Sequence, residues 1–222
     1  QPRRDSEYRT MKRFQVITNC KGLTLIELMI VLVLSLLLMG AVYMTFQLQH
    51  SSGQAQTQVA ATQQDIRAAM DVIAMDIMHA GLSRDPSDNI QGIPTGTSGT
   101  STLQLQMDYT NDGVTTGTDE LVTYRLNNGN LERIDVNAGV TQILARNVTL
   151  LSFQYLGRTK TNTTQQIDPG AGTLSQAQAR AVRFIEVTVT KEGDKVDPQT
   201  GNAIERTLSR WVCRRNGTID EI

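Results

Sequence analysis

Three acids, Asp108, Asp112 and Asp119, stand at positions 1, 5 and 12 of a loop that has Gly113 at position 6. That is the spacing with which oxygen ligands and one sharp turn surround calcium. Thr110 at position 3 and the shorter Asp119 at position 12 thin the ligand set. The loop therefore predicts at best a weak, extracellular-type calcium site, and a plain Asp-Gly hairpin turn with solvated acids accounts for the same residues. A different kind of carboxylate is Glu27, alone inside an apolar run. A charge so placed costs on the order of 2–3 kcal/mol near a bilayer centre and less near its edge, which predicts either a partner or a headgroup within reach.

Other chemistry is sparse. Cys20 and Cys213 are the only cysteines and His50 and His79 the only histidines, too few and too scattered for a disulfide scaffold, a zinc site or a His-based dyad. Asp71 and Asp76 are five residues apart, which turns them away from each other on a helix. With no nucleophile elbow, Walker loop or paired-carboxylate motif, the chain is expected not to be an enzyme, and calcium is the only cofactor its residues suggest. Arg206, Arg210, Arg214 and Arg215 cluster around Trp211, as nucleic-acid contacts do. In a strand, however, residues 206 and 210 share a face, and such a row more often guards a sheet edge, so no nucleic-acid partner is expected.

The elements that must position these residues begin with a solvent boundary. Lys+Arg number 21 and Asp+Glu 22 in the 222 residues, yet residues 28–64 contain none of them. Leu28–Phe46 is uncharged and mostly apolar, and with Leu23–Ile26 in front it is long enough to cross the roughly 30 Å of a bilayer core. Lys12, Arg13 and Lys21 precede it and no base follows until Arg67, an asymmetry that puts the N-terminus in the cytoplasm and the bulk of the chain outside. A cleaved secretory signal would have a shorter apolar region and a better small-x-small site than Gly40-Ala41. A lipoprotein is excluded because Cys20 precedes the apolar run and follows Ile17-Thr18-Asn19.

At the cytoplasmic border the sequence reads Lys21-Gly22-Leu23-Thr24-Leu25-Ile26-Glu27-Leu28. This octad closely resembles the processing motif of type IV prepilins and their pseudopilin relatives, in which a basic leader ends in Gly and the mature chain carries Glu at its fifth position. The resemblance implies cleavage between Gly22 and Leu23 by the prepilin peptidase and N-methylation of Leu23, which here replaces the commoner Phe. From the cost of its charge, Glu27 is expected to serve subunit assembly, where the new amine of a neighbouring subunit can reach it. A start at Met11 would give a leader of twelve residues, the type IVa length. Removing residues 1–22 takes six bases and two acids and leaves 15 bases against 20 acids, a net charge of −5.

Beyond Phe46 an uncharged polar stretch leads to Asp65–Gly81, where Ile66, Met70, Ile73 and Ile77 recur at helical spacing while Asp65, Asp71, Asp76 and His79 lie off that stripe. The pattern predicts one helix over about residues 24–80, amphipathic in its second half, with local melting at Gly40 or Gly53 and Gly81 as its C′ residue. Strands are predicted at 103–107, 121–126, 131–136, 148–156, 182–190 and 204–212, with a hairpin turn at Asn127-Asn128-Gly129-Asn130 and loops over 85–102 and 157–178. The fold class is α+β, a long N-terminal helix packed on an antiparallel β-sheet, which is also the type IV pilin architecture.

The stretches Met70–Gly81 and Tyr124–Arg133 resemble the PilW family of minor pilins, related to the J-type pseudopilins of type II secretion. The resemblance implies a leader over 1–22, a transmembrane and assembly segment over 23–46, an amphipathic helical segment over 47–81 and a periplasmic β-rich domain over 82–222. It implies a minor pilin of the bacterial inner membrane that joins a priming or tip complex. Its partners would be other major and minor pilins, the prepilin peptidase and membrane lipids. The alternatives are a type II secretion pseudopilin and an uncleaved, membrane-anchored binding or adhesin domain.

Overall fold

The computed structural model of the protein describes Gly22, residues 24–85, Asp88, and residues 90–158, 164–170, 172–196 and 201–216. Apart from Gly22, the expected leader lies outside the described residues, as does Leu23. The chain divides into two compact units, Gln1–Gln49 and His50–Ile222.

One helix, α1 (Leu25–His79), begins in the first unit and ends in the second. It runs unbroken through Gly40 and Gly53, contrary to the melting their poor propensity predicts. Each glycine costs only about 1 kcal/mol relative to alanine, too little to interrupt a helix of 55 residues. Gly81, at φ 78°, takes the left-handed C′ conformation expected of it.

The second unit holds the β-structure. Strands β1 (Thr102–Gln106), β2 (Leu121–Asn127), β3 (Asn130–Asp135) and β4 (Val140–Ala145) form one antiparallel sheet in that order. Strands β5 (Val148–Arg158), β6 (Thr164–Ile167), β7 (Val182–Val196) and β8 (Ala203–Cys213) form a second, ordered β6-β5-β7-β8. The expected single sheet is thus two, because a two-residue corner, Arg146-Asn147, turns the chain out of the first sheet with Asn147 at φ 56°. The β2–β3 turn has Asn128 at φ 48° and Gly129 at φ 74°, the two positive values a type I′ hairpin requires. The expected loop over 157–178 also contains β6 and the start of a short helix, α2 (Gln176–Ala181), whose cap is the Ser175–Gln178 capping box.

Ile66, Met70, Ile73 and Ile77 are buried, as their spacing predicts. The buried face of α1 is wider than that stripe, since Thr62, Ala69, Ala74 and Asp76 are buried with them. Side chains of both sheets meet this half of the helix: Lys191 (β7) reaches Asp65 and Arg210 (β8) reaches Asp71, while Tyr124 (β2) and Arg133 (β3) reach Asp76. A helix flanked in this way buries more than the roughly 100° arc of an ordinary amphipathic helix. Leu103, Leu105 and Met107, with Phe153, Tyr155, Val187 and Val189, complete the core.

Candidate processing and assembly site

Thr24 is the N-cap of α1. Its hydroxyl accepts the Glu27 N–H at 3.3 Å, and its carbonyl accepts the Leu28 N–H at 3.2 Å. Glu27 is thus the N3 residue, where a negative charge faces the positive end of the helix dipole; of the two reciprocal bonds of a capping box, the one to the Thr24 hydroxyl is formed among the described residues. The Thr24-to-Glu27 spacing of this N-terminus is local and legible in the sequence. At Gly22, an added β-carbon would meet nothing within 4 Å, so nothing described in the chain itself demands a glycine there.

Every large apolar side chain from Leu25 to Leu48 is between 53% and 79% exposed. Burying one such side chain is worth about 1.5–3 kcal/mol, and a whole helical surface of them is stable only in lipid or among other helices. By length and composition the helix can cross a membrane.

In the second unit, Asp76 contradicts the expectation that it lies off the buried face. It accepts the Tyr124 hydroxyl at 2.5 Å and the Arg133 Nε–H at 2.9 Å, and Arg133 donates its other arm to Asp119 at 2.6 Å. Burial and the neighbouring Asp76 push the Tyr124 hydroxyl well above the usual tyrosine range, keeping it a neutral donor. Nearby, the Tyr109 hydroxyl and His79 Nδ1 are 3.0 Å apart, with their rings edge to face. Asp76 belongs to the stretch 70–81 and its two donors to 124–133, so the two segments that carry the finer resemblance are joined at one carboxylate.

The family model described as prepilin peptidase-dependent protein B matches residues 55–213, a span that holds the Asp76 cluster and both sheets in full. The chain belongs to that family. The prokaryotic N-terminal methylation motif matches residues 17–43, which include Gly22, Leu23 and Glu27, and the two matches together identify a type IV prepilin-like protein. No curated protein matches the chain.

In this prepilin-like chain the acidic loop differs from the expected ligand set. Asp108, Asp112 and Glu120 bring carboxylate oxygens within 4.8 Å of one another, whereas Asp119 turns to Arg133. Just before β2, Asp119 is left-handed at φ 63°, which turns its own side chain away and gives the inward position to Glu120. These oxygens are occupied by the loop's own donors. Asp108 accepts the N–H groups of Asn111, Asp112 and Gly113. Glu120 accepts the N–H groups of Tyr109, Thr110 and Gly117 and the Thr110 hydroxyl.

Burial alone would raise the Glu120 pKa, but those hydrogen bonds outweigh it and hold the group below the usual carboxylate range. Its contribution to stability is therefore present above the ordinary glutamate pKa and is lost as pH falls through the lowered folded value. Amide hydrogens aimed at the same oxygens oppose a cation. Millimolar calcium is expected to leave the thermal midpoint of the globular unit unchanged, as differential scanning fluorimetry would show. A rise of about 3 °C, roughly 1 kcal/mol at this size, would contradict the turn reading.

The arginine group near the C-terminus is taken apart by the fold. Arg214 is almost fully buried and donates to the carbonyls of Gln91 at 2.7 Å and Arg180 at 3.3 Å. Arg210 pairs with Asp71 at 2.7 Å, and Arg206 donates to the Glu205 carbonyl. Together with the exposed Trp211 they do not form one basic surface.

Proposed function

We propose that the chain is a minor pilin, cut between Gly22 and Leu23, methylated on the new Leu23 amine, and inserted through α1 into a complex from which a pilus grows. The observation that carries this reading is one carboxylate, Glu27, placed in the first turn of a 55-residue helix whose next two turns and more are uncharged and apolar. The N-terminus would lie in the cytoplasm and the globular unit in the periplasm, following the bases before the apolar segment. Within an assembly, the cationic amine of one subunit and Glu27 of a neighbour would pair. That relieves most of the cost of an isolated charge in an apolar layer, and because only a correctly placed neighbour supplies the amine, the pair selects register more than it adds stability.

Two variants separate this from helix capping. Glu27→Ala loses the side chain together with its charge, while Glu27→Gln keeps a polar side chain at N3 and loses only the charge. Both are expected to be cleaved normally and to be recovered poorly with pilin partners after cross-linking, by roughly tenfold if one charge pair of about 1.4 kcal/mol is lost. Wild-type recovery of Glu27→Gln would reduce Glu27 to a helix-capping residue.

A further inference from the structure

The two sheets have four edges, and three are protected. β1 is covered by the preceding loop: Gln106 N–H donates to the Gly92 carbonyl at 2.9 Å, Gln104 N–H to the Ser98 hydroxyl at 2.9 Å, and Gly99 N–H to the Thr102 carbonyl at 2.8 Å. β8 carries Glu205, Arg206 and Arg210, with Arg210 tied to the helix. β6 is only four residues long. Charge, shortness and cover are the usual devices that stop a sheet edge from recruiting another chain.

β4 has none of them. It reads Val-Thr-Gln-Ile-Leu-Ala, without a charge or a proline, and pairs only with β3. Val140, Thr141, Gln142 and Ile143 are all exposed, and because successive residues point to opposite faces, neither face of this half-strand is covered. Val140 is 59% and Ile143 41% exposed. At its far end the strand runs into a cavity of about 350 Å³ lined by Ile143, Leu144, Arg146, Lys191 and Asp65. Lys191 is paired with Asp65 at 2.5 Å, while Arg146 is exposed and has no ion pair among the described residues. Two cations face one anion there.

We propose that the outer edge of β4 is a strand-addition site for an extended segment of a neighbouring pilin-like subunit, apolar at alternate positions and bearing a carboxylate where it passes Arg146 and Lys191. The unpaired backbone supplies the hydrogen bonds, Ile143 supplies the apolar contact on the face that the alternate apolar positions share, and the surplus cation selects the acid. A second copy pairing antiparallel through β4 would set Arg146 opposite Gly139 and bring no carboxylate to the cavity. A single added strand falls below the roughly 1,000 Å² of a stable interface, so the contact suits subunits already held side by side in an assembly. Only the identity of the partner rests on the minor-pilin reading; the site itself can be tested without it.

The full chain in lipid nanodiscs is titrated with a blocked, fluorescently labelled peptide, Thr-Val-Thr-Val-Thr-Val-Asp, and with the same peptide ending in Lys. The Asp peptide is expected to bind roughly tenfold tighter, Arg146→Glu to reverse that preference, and Ile143→Lys to weaken both peptides with the thermal midpoint unchanged. Equal affinity for the two peptides, no saturation by about 1 mM, or indifference to Ile143→Lys would overturn the proposal. A concentration-dependent dimer abolished by Ile143→Lys would assign the edge to a second copy and overturn it as well. None of these outcomes bears on cleavage at Gly22, so the site and the minor-pilin reading can fail separately.

Discussion

Replacing Arg133 with alanine is expected to destabilise the globular unit by about 3–5 kcal/mol. The guanidinium is 13% exposed and the Asp76 carboxylate 10%, so removing the arginine leaves a charge in the core with only the Tyr124 hydroxyl to satisfy it. Tyr124→Phe should cost less, about 1–3 kcal/mol, because it removes one donor and leaves the ion pair. The contrast is Arg210→Ala. Its partner Asp71 and Arg210 itself are both about half exposed, and a solvated pair of this kind is worth up to about 1 kcal/mol. Urea unfolding of the three variants measures the difference. Equal small losses for Arg133→Ala and Arg210→Ala would mean that the Asp76 cluster does not hold the helix to the first sheet.

The second large effect is at Gly22. Gly22→Val is expected to abolish maturation, leaving a species that retains its leader on a gel of cell membranes. A side chain at this position meets nothing within 4 Å among the described residues, so their packing gives no reason for the loss, whereas the cleft of the proposed processing peptidase would. Normal maturation of the variant would remove the cleavage assignment while leaving the fold untouched.

Much of this architecture was legible because its signals are local. The four-three-four spacing of Ile66, Met70, Ile73 and Ile77, the alternation at Leu103, Leu105 and Met107, and the Asn-Asn-Gly-Asn turn each state a backbone geometry within a few residues. β4 escaped notice because Val140–Ala145 does not alternate: its first four residues face solvent on both sides and only its last residue is buried. The Asp76 cluster was illegible for a different reason. Whether an aspartate beside an apolar stripe is buried depends on a tyrosine and an arginine 48 and 57 residues away, and only the hairpin register that places Tyr124 opposite Arg133 brings them to it.

The acidic loop shows the same limit at shorter range. Counting positions from Asp108 selects Asp119 as the twelfth, but a left-handed residue there, at φ 63°, rotates the frame and gives the inward place to Glu120. Glu27 is the converse case, where the residue pattern held more than one message. Its charge in an apolar run points to a partner, and its distance from Thr24 points to the start of a helix.

The measurement that bears most directly on the account is the N-terminus of the chain recovered from cells that also make a prepilin peptidase. Intact-mass and N-terminal fragment analysis should find N-methyl-Leu23 as the first residue, with residues 1–22 absent, and should find the uncut chain when Gly22 is replaced by valine. A mature N-terminus at any other residue, or a full-length chain anchored unprocessed in the membrane, would contradict it.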